Sequence, residues 1–583
     1  GIPGASIIVK GTTTGTSSDI NGDFQLSLPE GAEVLVVSYI GYQKQELEIG
    51  NQTTFNITLE EDLQQLSEVV VVGYGTQERR DLTGAVSSLD AEELKNVAIT
   101  TVEQGLQGRV AGVNIQQSGR PGGAMDVQIR GVGSIGNSQP LYVIDGVPII
   151  NDNLGNGRVN ALANISPTDI ASIEVLKDAS ASAIYGARAA NGVVLITTKR
   201  GEAGTTKVTL NSYYGTQSAW NTLELTDING YKEISDALTD NAGLPRVVAL
   251  QDPNELVNLT DWQEEIFRPA PIRNVDFGVS GGTENARFNV SLNYFNQDGI
   301  VRSTGFERWS LRVNTDFKKG RFKFGETMTV SRAFTDEADI GGIFFGMLHF
   351  PPNRPIFNPD NPGGYAGNRI IDEQDANNPV GVAELFDDRT TRYRILGTVY
   401  GEYEIVDGLK YKLSLGGDII ASNRYSFRPI YQFGDRRSQP FATLSENNGL
   451  SVSPLIENTL TFSRNFGTQH SFEAIAGYTR QTLSARFANA QGRNTVNDVV
   501  RVLNGVNDVP VVSGTLQEFA LVSYLGRVNY SFGDRYLLTA NIRRDGSSRF
   551  SPGNKWGVFP SVSVGWRISE EAFLQDVDLV SDL

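Results

Sequence analysis

The sequence predicts a mainly β chain: a small N-terminal β-sandwich, an α+β unit, and then about twelve strands of an antiparallel transmembrane β-barrel. Three observations carry that prediction. From about Lys207 onward, apolar and polar side chains alternate with period two over long segments. The connections between those segments are short at one end and long at the other. The 62 glycines among 583 residues supply the turns that such a chain needs.

The alternation is strongest in four segments. In RFNVSLNYF, Phe288, Val290, Leu292 and Tyr294 share one face and Asn289, Ser291 and Asn293 the other. In LKYKLSLGGDI the apolar face is Leu409, Tyr411, Leu413, Leu415 and Ile419, opposite Lys410, Lys412, Ser414 and Asp418. LVSYLGRVNYSF sets Val522, Tyr524, Val528, Tyr530 and Phe532 against Ser523, Arg527, Asn529 and Ser531. VFPSVSVGWRIS sets Val558, Val562, Val564, Trp566 and Ile568 against Ser561, Ser563 and Arg567. A strand with one face of this kind and charges on the other suits lipid outside and water inside. Ten residues at about 3.3 Å each, tilted by about 45°, rise roughly 23 Å, close to the apolar band of such barrels. Tight turns fall at 318–321, 406–408, 467–469 and 533–535, and long loops at about 215–274, 334–392, 422–452 and 480–517. Pro560, inside one of these strands, calls for a bulge or a strand start.

Residues 1–59 alternate short strands (ASIIVKG, NGDFQLSLPEG, AEVLVVSYIGYQKQELEI, TTFNITL) with turns, which is the pattern of a small sandwich. Residues 60–78 read as a linker. Residues 79–203 mix helical patterns (DAEELKNV, TVEQGLQGRV, ASASAIYGARAANG) with apolar strands (LYVIDGVPI, ASIEVLKD, GVVLITTK), and 204–583 carry the long alternating segments. Inside the linker, four valines, Val69 to Val72, follow an acidic, Gln-rich run. They are either the last strand of the sandwich, the first of the next domain, or a β-prone segment available to add to a partner's sheet edge.

The exclusions are equally specific. A net charge of −17 without clustered Lys and Arg argues against nucleic acid. With no cysteine and only His349 and His470, neither a thiolate site, a His-rich metal site nor a Ser/His/Asp arrangement is expected, and no cofactor is implied. GVGSIG, Gly131 to Gly136, has dinucleotide-binding spacing, but it leads into another strand, so no helix N-terminus is there to hold a pyrophosphate. Paired carboxylates for glycoside hydrolysis are compatible with the many Asp and Glu residues, although solvated loops explain those more simply.

Long motifs then resemble one family. PGASIIVKGTTTGTSSDINGDFQLSLPEGAEVLVVSYIGY is similar to the carboxypeptidase-regulatory-like extension of SusC/RagA-type TonB-dependent outer-membrane transporters, and SEVVVVGYGTQ to their TonB box. GLQGRVAGVNI, IRGVGSIGNSQPLYVIDGVPI and IEVLKDASASAIYGARAANGVVLITTKRG resemble their plug, and LTANIRRDGSSRFSPGNKWGVFPSVSVGWRIS their barrel. The resemblance implies a non-enzymatic importer of oligomeric nutrients, glycans or peptides, in the outer membrane of a Gram-negative bacterium of the Bacteroidota. It would work with a SusD-like lipoprotein lid and take energy from TonB with ExbB and ExbD. Glu68, Val69, Val70, Val71, Val72, Gly73 and Tyr74 would be the TonB-binding segment. Substrate contacts are expected at Asn151, Asp152 and Asn153 of the plug and at the loop residues Phe344, Phe345 and Tyr431, with Trp220, Phe350 and Phe433 as further aromatic candidates. The family barrel needs about ten more strands than are counted here, so the chain is expected to be a fragment lacking the later part of the barrel. The rival expectations are a TonB-dependent signalling receptor and, from another class, a secreted carbohydrate-active enzyme.

Overall fold

The computed structural model describes residues 1–583 apart from 3–4, 10–13, 20, 29–31, 33, 40–44, 51, 60–68, 91–98, 135, 137, 151–159, 161, 373–374, 436, 572 and 574–583. Two compact units result, 1–70 with 76–82, and 71–75 with 83–583.

In the first unit, Ser6–Val9 lies between Gly15–Ser17 and Val34–Ser38, and Gln45–Glu48 completes a four-stranded antiparallel sheet. Alternation places Ile7, Val9, Leu35 and Val37 on one face, where they are buried with Ile49. Phe24, Leu26, Phe55, Ile57 and Leu59 pack on that face. Residues 23–28 and 53–59, expected as strands, cover the core as extended chain without ladder pairing.

The second unit contains a five-stranded sheet in the order Val147–Pro148, Leu141–Ile144, Val193–Thr198, Ile170–Leu176, Val86–Asp90. Leu141–Ile144 runs parallel to Val193–Thr198 and the other pairings are antiparallel. The central strands are near-continuous apolar runs because both faces are covered. Ile144, Ile173, Val175 and Val194 are buried together with Val102 and Leu106 of the helix Val102–Leu106, whose N-terminus carries a capping box from Thr101 and Gln104. The strands and helices expected in this unit are present, except that the helical pattern at 91–97 lies outside the described residues. After the glycine-rich residues 131–136 the chain enters the strand Leu141–Ile144, as expected, and no helix follows them.

The rest of the unit is one antiparallel sheet of twelve strands in strict sequence order. They are β1 (Gly204–Gln217), β2 (Ala270–Gly282), β3 (Ala286–Asp298), β4 (Thr304–Lys319), β5 (Phe322–Glu337) and β6 (Asp387–Val406). Then follow β7 (Leu409–Arg428), β8 (Thr443–Phe466), β9 (His470–Arg493), β10 (Val511–Phe532), β11 (Tyr536–Ser547) and β12 (Trp556–Trp566). The two faces separate as the alternation predicts. Leu292, Leu413, Leu415, Ile419, Tyr524, Val558, Val562 and Val564 are exposed, whereas their polar neighbours Asn293, Ser414, Asp418, Ser523 and Arg527 are buried. Exposed aromatics Phe317, Phe322, Tyr403, Tyr411, Phe466, Tyr536 and Trp566 gather near the short turns, and Trp309, Tyr393, Tyr524 and Trp556 toward the long loops. These are the two girdles of a membrane-spanning sheet. Among the described residues no helix is long and apolar enough to cross a membrane.

Two expectations are corrected. The segments expected as loops at 422–452 and 480–517 are largely strand, because β7 to β10, at 20 to 24 residues, run well beyond the roughly ten residues a membrane requires. Beyond the belt both faces are polar, so the hydropathy contrast fades although the ladder continues. Pro560 stands in regular register opposite Ile542, with neither a bulge nor a strand end.

Candidate functional site

The valine stretch is the natural place to begin. Val69–Val71 pairs with Thr76–Glu78 in a two-stranded ladder, and the Val72 amide closes the hairpin on the Gly75 carbonyl. The stretch is therefore a strand, as expected, but not an unpaired one. Its tip, residues 71–75, packs within the second unit. Arg527 of β10 donates to the Val72 carbonyl at 2.7 Å and, through Nε, to Asn541 of β11 at 2.8 Å. The Tyr74 hydroxyl donates to Glu457 of β8 at 2.9 Å, and its ring lies 6.0 Å from that of Tyr185, nearly parallel. Gly73 has φ +81°, and a Cβ there would approach Ile184 to 3.0 Å, so both the turn and the close packing call for glycine. Burial, reinforced by Glu457, pushes the Tyr74 phenol well above its ordinary range, so it remains a neutral donor at any physiological pH.

The five-stranded sheet and its loops are fastened to the wall more heavily. Arg308 of β4, fully buried, donates to the carbonyls of Thr100, Ala163 and Ile165 at 3.0 to 3.2 Å. Arg312, four residues further along the same face, pairs with Asp145 at 2.9 Å and donates to Thr198. Asp145 in turn accepts from the Thr198 amide and hydroxyl, so the carboxylate is fully engaged. On the opposite side Arg543 donates to the Ile184 carbonyl, Asp545 accepts from the Ala187 amide at 2.9 Å, and Gln481 donates to the Pro148 carbonyl at 2.9 Å. Gly186, with φ +62°, admits this contact, since a Cβ there would stand 2.0 Å from the Asp545 carboxylate. Arg308, Arg312, Arg527, Arg543 and Asp545, charges on the polar faces of their strands, are buried because this domain packs against that face of the sheet.

At the far end the long loops build a core of their own. Helices Trp262–Ile266, Ile340–His349 and Pro379–Leu385 start on the caps Asp261, Asp339 and Asn378, and bury Trp262, Ile343, Met347, Phe350 and Phe433 together. Beside this core lies a cleft of about 1150 Å³ lined by Leu223, Leu259, Trp262, Phe267, Met347 and Phe350, among others.

The structure sorts the residues singled out from the sequence. Val70 and Val72 are buried and Tyr74 is engaged as described, while Glu68 lies outside the described residues. Asn151, Asp152 and Asn153 also lie outside them. Phe344 and Tyr431 pack against the loop core, Tyr431 with its ring 4.6 Å from Phe433, so these side chains serve loop packing. Phe350 and Phe433 are buried in that core, although Phe350 also borders the cleft. Phe345, stacked on His349 at 4.3 Å, and Trp220, 97 % exposed, face solvent. Sequence reasoning missed the roles of Glu457, Arg527, Arg308 and Arg312; their signal was a charge at a polar-face position of a strand. Among the described residues no cluster of three or more His, Asp or Glu could hold a metal.

Comparison with known proteins agrees with this architecture. Residues 78–193 match the model of the TonB-dependent receptor plug domain, and residues 1–71 that of the CarboxypepD_reg-like domain. Along its whole length the chain is 36 % identical to TonB-dependent receptor P3 of Formosa agariphila and 34 % identical to TonB-dependent receptor SusC of Bacteroides thetaiotaomicron. It spans 56 % and 58 % of those two proteins, little more than half their length. Among solved structures, the RagAB peptide importer in its open-open state superposes with a TM-score of 0.76 at 27 % identity, covering 88 % of this chain and 60 % of that one. The closed-closed state of the same importer gives 0.73 at 25 % identity, with 86 % and 59 % covered.

Proposed function

The chain belongs to the SusC-like TonB-dependent receptors, and from that premise we propose that it imports oligomeric nutrients, glycans or peptides, across the outer membrane of a Gram-negative bacterium of the Bacteroidota. The domain at 79–203 is the plug of the barrel begun by β1 to β12, and residues 1–59 form the regulatory-like extension. Residues Glu68 to Tyr74 are the segment that TonB, energised by ExbB and ExbD, would capture as an added strand. Relatives of this kind are receptors and transporters, so no enzymatic step is assigned.

The observation that carries the proposal is the contrast in how the two parts are held. The tip at Val72–Tyr74 is tied to the wall by one bond from Arg527 and one to Glu457, while the plug body is tied by buried arginines and an ion pair. A segment that must leave its seat to pair with a partner needs a modest hold, because the partner's strand pairing has to exceed it. Nutrient bound on the loop side would favour the released tip by binding that state more tightly. The likeness to an importer described as handling peptides, together with a cleft between aromatic-bearing loops, supports an oligomeric ligand and a SusD-like lipoprotein as the lid over those loops. The test is Val70→Pro in the complete receptor, which removes a strand donor from the segment. Energised uptake should be lost while ligand binding at the cell surface stays near the parent value; persistent uptake would overturn the assignment.

A further inference from the structure

The outward wall of β9 to β12 carries a feature that import does not use. Two adjacent rows of the ladder run across these strands. One is Tyr478, Tyr524, Arg544 and Val558; the next, one alternation step nearer the long loops, is Arg480, Val522, Gly546 and Trp556. All lie on the lipid side, since Tyr524, Val558 and Trp556 are exposed and the intervening Ser523, Arg543 and Asp545 are buried. Arg480 and Arg544 are exposed as well. On β12, Trp556 and Trp566 stand ten residues apart with Val558, Val562 and Val564 exposed between them. That separation, roughly 23 Å measured across the membrane, equals the apolar band, so the two arginines sit at the outer interface, at the level of the lipid headgroups.

Three side-chain arrangements make this a shaped surface. The Arg544 guanidinium lies 4.6 Å over the Trp556 ring, Trp556 stacks on Tyr524 with centroids 6.1 Å apart, and Tyr524 lies 5.5 Å from Tyr478. Between the two arginines is a single strand, which sets their backbones about 9.5 Å apart laterally, enough for one headgroup to span. Among the described residues neither has a carboxylate partner. Arg332, outward on β5, pairs instead with Glu307 at 3.2 Å, so a protein-supplied anion is available elsewhere on this face. An unpaired guanidinium at an interface, braced on an aromatic ring, offers its donor fork to a phosphate.

We propose that Arg480 and Arg544, with Tyr478, Tyr524 and Trp556, bind the phosphorylated sugar headgroup of an outer-leaflet glycolipid. The charges meet its phosphates, the rings meet its sugar faces, and Val558, Val562 and Val564 meet its acyl chains.

The test uses the complete receptor in vesicles of zwitterionic phospholipid doped with a bis-phosphorylated diglucosamine lipid or with its dephosphorylated counterpart. Bound lipid is counted by native mass spectrometry after gentle extraction. Arg480→Gln with Arg544→Gln should lower retention of the phosphorylated lipid by roughly twenty-fivefold, about fivefold for each lost cation. The dephosphorylated lipid should be retained equally by parent and variant. Arg480→Lys with Arg544→Lys, which keeps charge but loses the fork, should fall between, and Arg332→Gln should match the parent. Equal retention of the phosphorylated lipid by the parent and the double Gln variant, both running as heat-resistant folded barrels, would overturn the proposal. So would equal retention of the two lipids by the parent, which would leave the apolar belt as the whole attraction.

Discussion

The tip at residues 71–75 and the plug body touch the same wall, yet they are attached in different ways. The body is held by fully buried arginines that reach backbone carbonyls and by the Arg312–Asp145 pair, whose side chains are 2 % and 5 % exposed. The tip is held by one guanidinium-to-carbonyl bond, one phenol-to-carboxylate bond and a ring contact. Buried ion pairs do little to raise net stability, but breaking one leaves a lone charge without water, which makes the arrangement hard to leave by small steps. Two separate hydrogen bonds, even charge-assisted ones, can be exchanged one at a time with water or a partner strand. The difference suggests that force applied at residues 69–74 frees the tip first and meets the plug body second.

The largest effect should come from the body. Arg312→Ala leaves Asp145 buried and unpaired and should destabilise the plug by about 3–5 kcal/mol. Amide exchange of residues 141–144 and 193–198 would measure it, and unchanged protection would erase the contrast just drawn.

Next comes Glu103, buried in the plug core with one carboxylate oxygen lacking a hydrogen-bond partner; burial pushes its carboxyl up to about 7. Because the folded value lies above the unfolded 4.5, the native plug retains a proton that the unfolded chain releases between these values. Plug stability should therefore fall as pH rises from about 4.5 to 7 and level off above. Glu103→Gln should flatten that slope and add about 2–3 kcal/mol at pH 8 while changing little at pH 4, read from thermal unfolding against pH.

Gly186→Ala combines a left-handed backbone with a Cβ pressed against Asp545 and should cost about 2 kcal/mol, visible as faster exchange of the Ala187 amide. The smallest effect sharpens the comparison most. Tyr74→Phe removes the bond to Glu457 while keeping the ring against Tyr185, and should weaken the seat of the tip by about 1 kcal/mol. Proteolysis within 69–75 should then quicken about fivefold while cleavage of the plug body is unchanged. Equal acceleration of both would mean that tip and body open together.

Much of this was legible in the chain. Leu413, Ser414 and Leu415 announce their opposite faces by alternation alone, and the apolar runs Leu141–Ile144 and Val193–Val194 announce a sheet covered on both sides. The loop boundaries were less legible. Beyond the membrane both faces of β8 and β9 meet water or loops, so alternation ceases to distinguish strand from coil and the ladder can be seen only through its partners. The aromatic candidates part company in an instructive way: Phe345 and Tyr431 look alike as loop aromatics, but Tyr431 packs against the loop core and Phe345 faces solvent. That outcome depends on which helix or strand each one sits on, and on what the caps Asp339 and Asn378 bring beside it.

By itself the sequence determined the strand faces, the order of the β units and the places where the backbone turns. These are local properties, written in period-two hydropathy and in residues such as Gly73 that permit a particular φ. Only the tertiary structure decided that Tyr74 would meet Glu457, 383 residues away, or that Arg308 would find three carbonyls of the plug. A buried charge requires some partner in a medium of low dielectric, but which partner it receives depends on which part of the plug domain packs against that strand of the sheet.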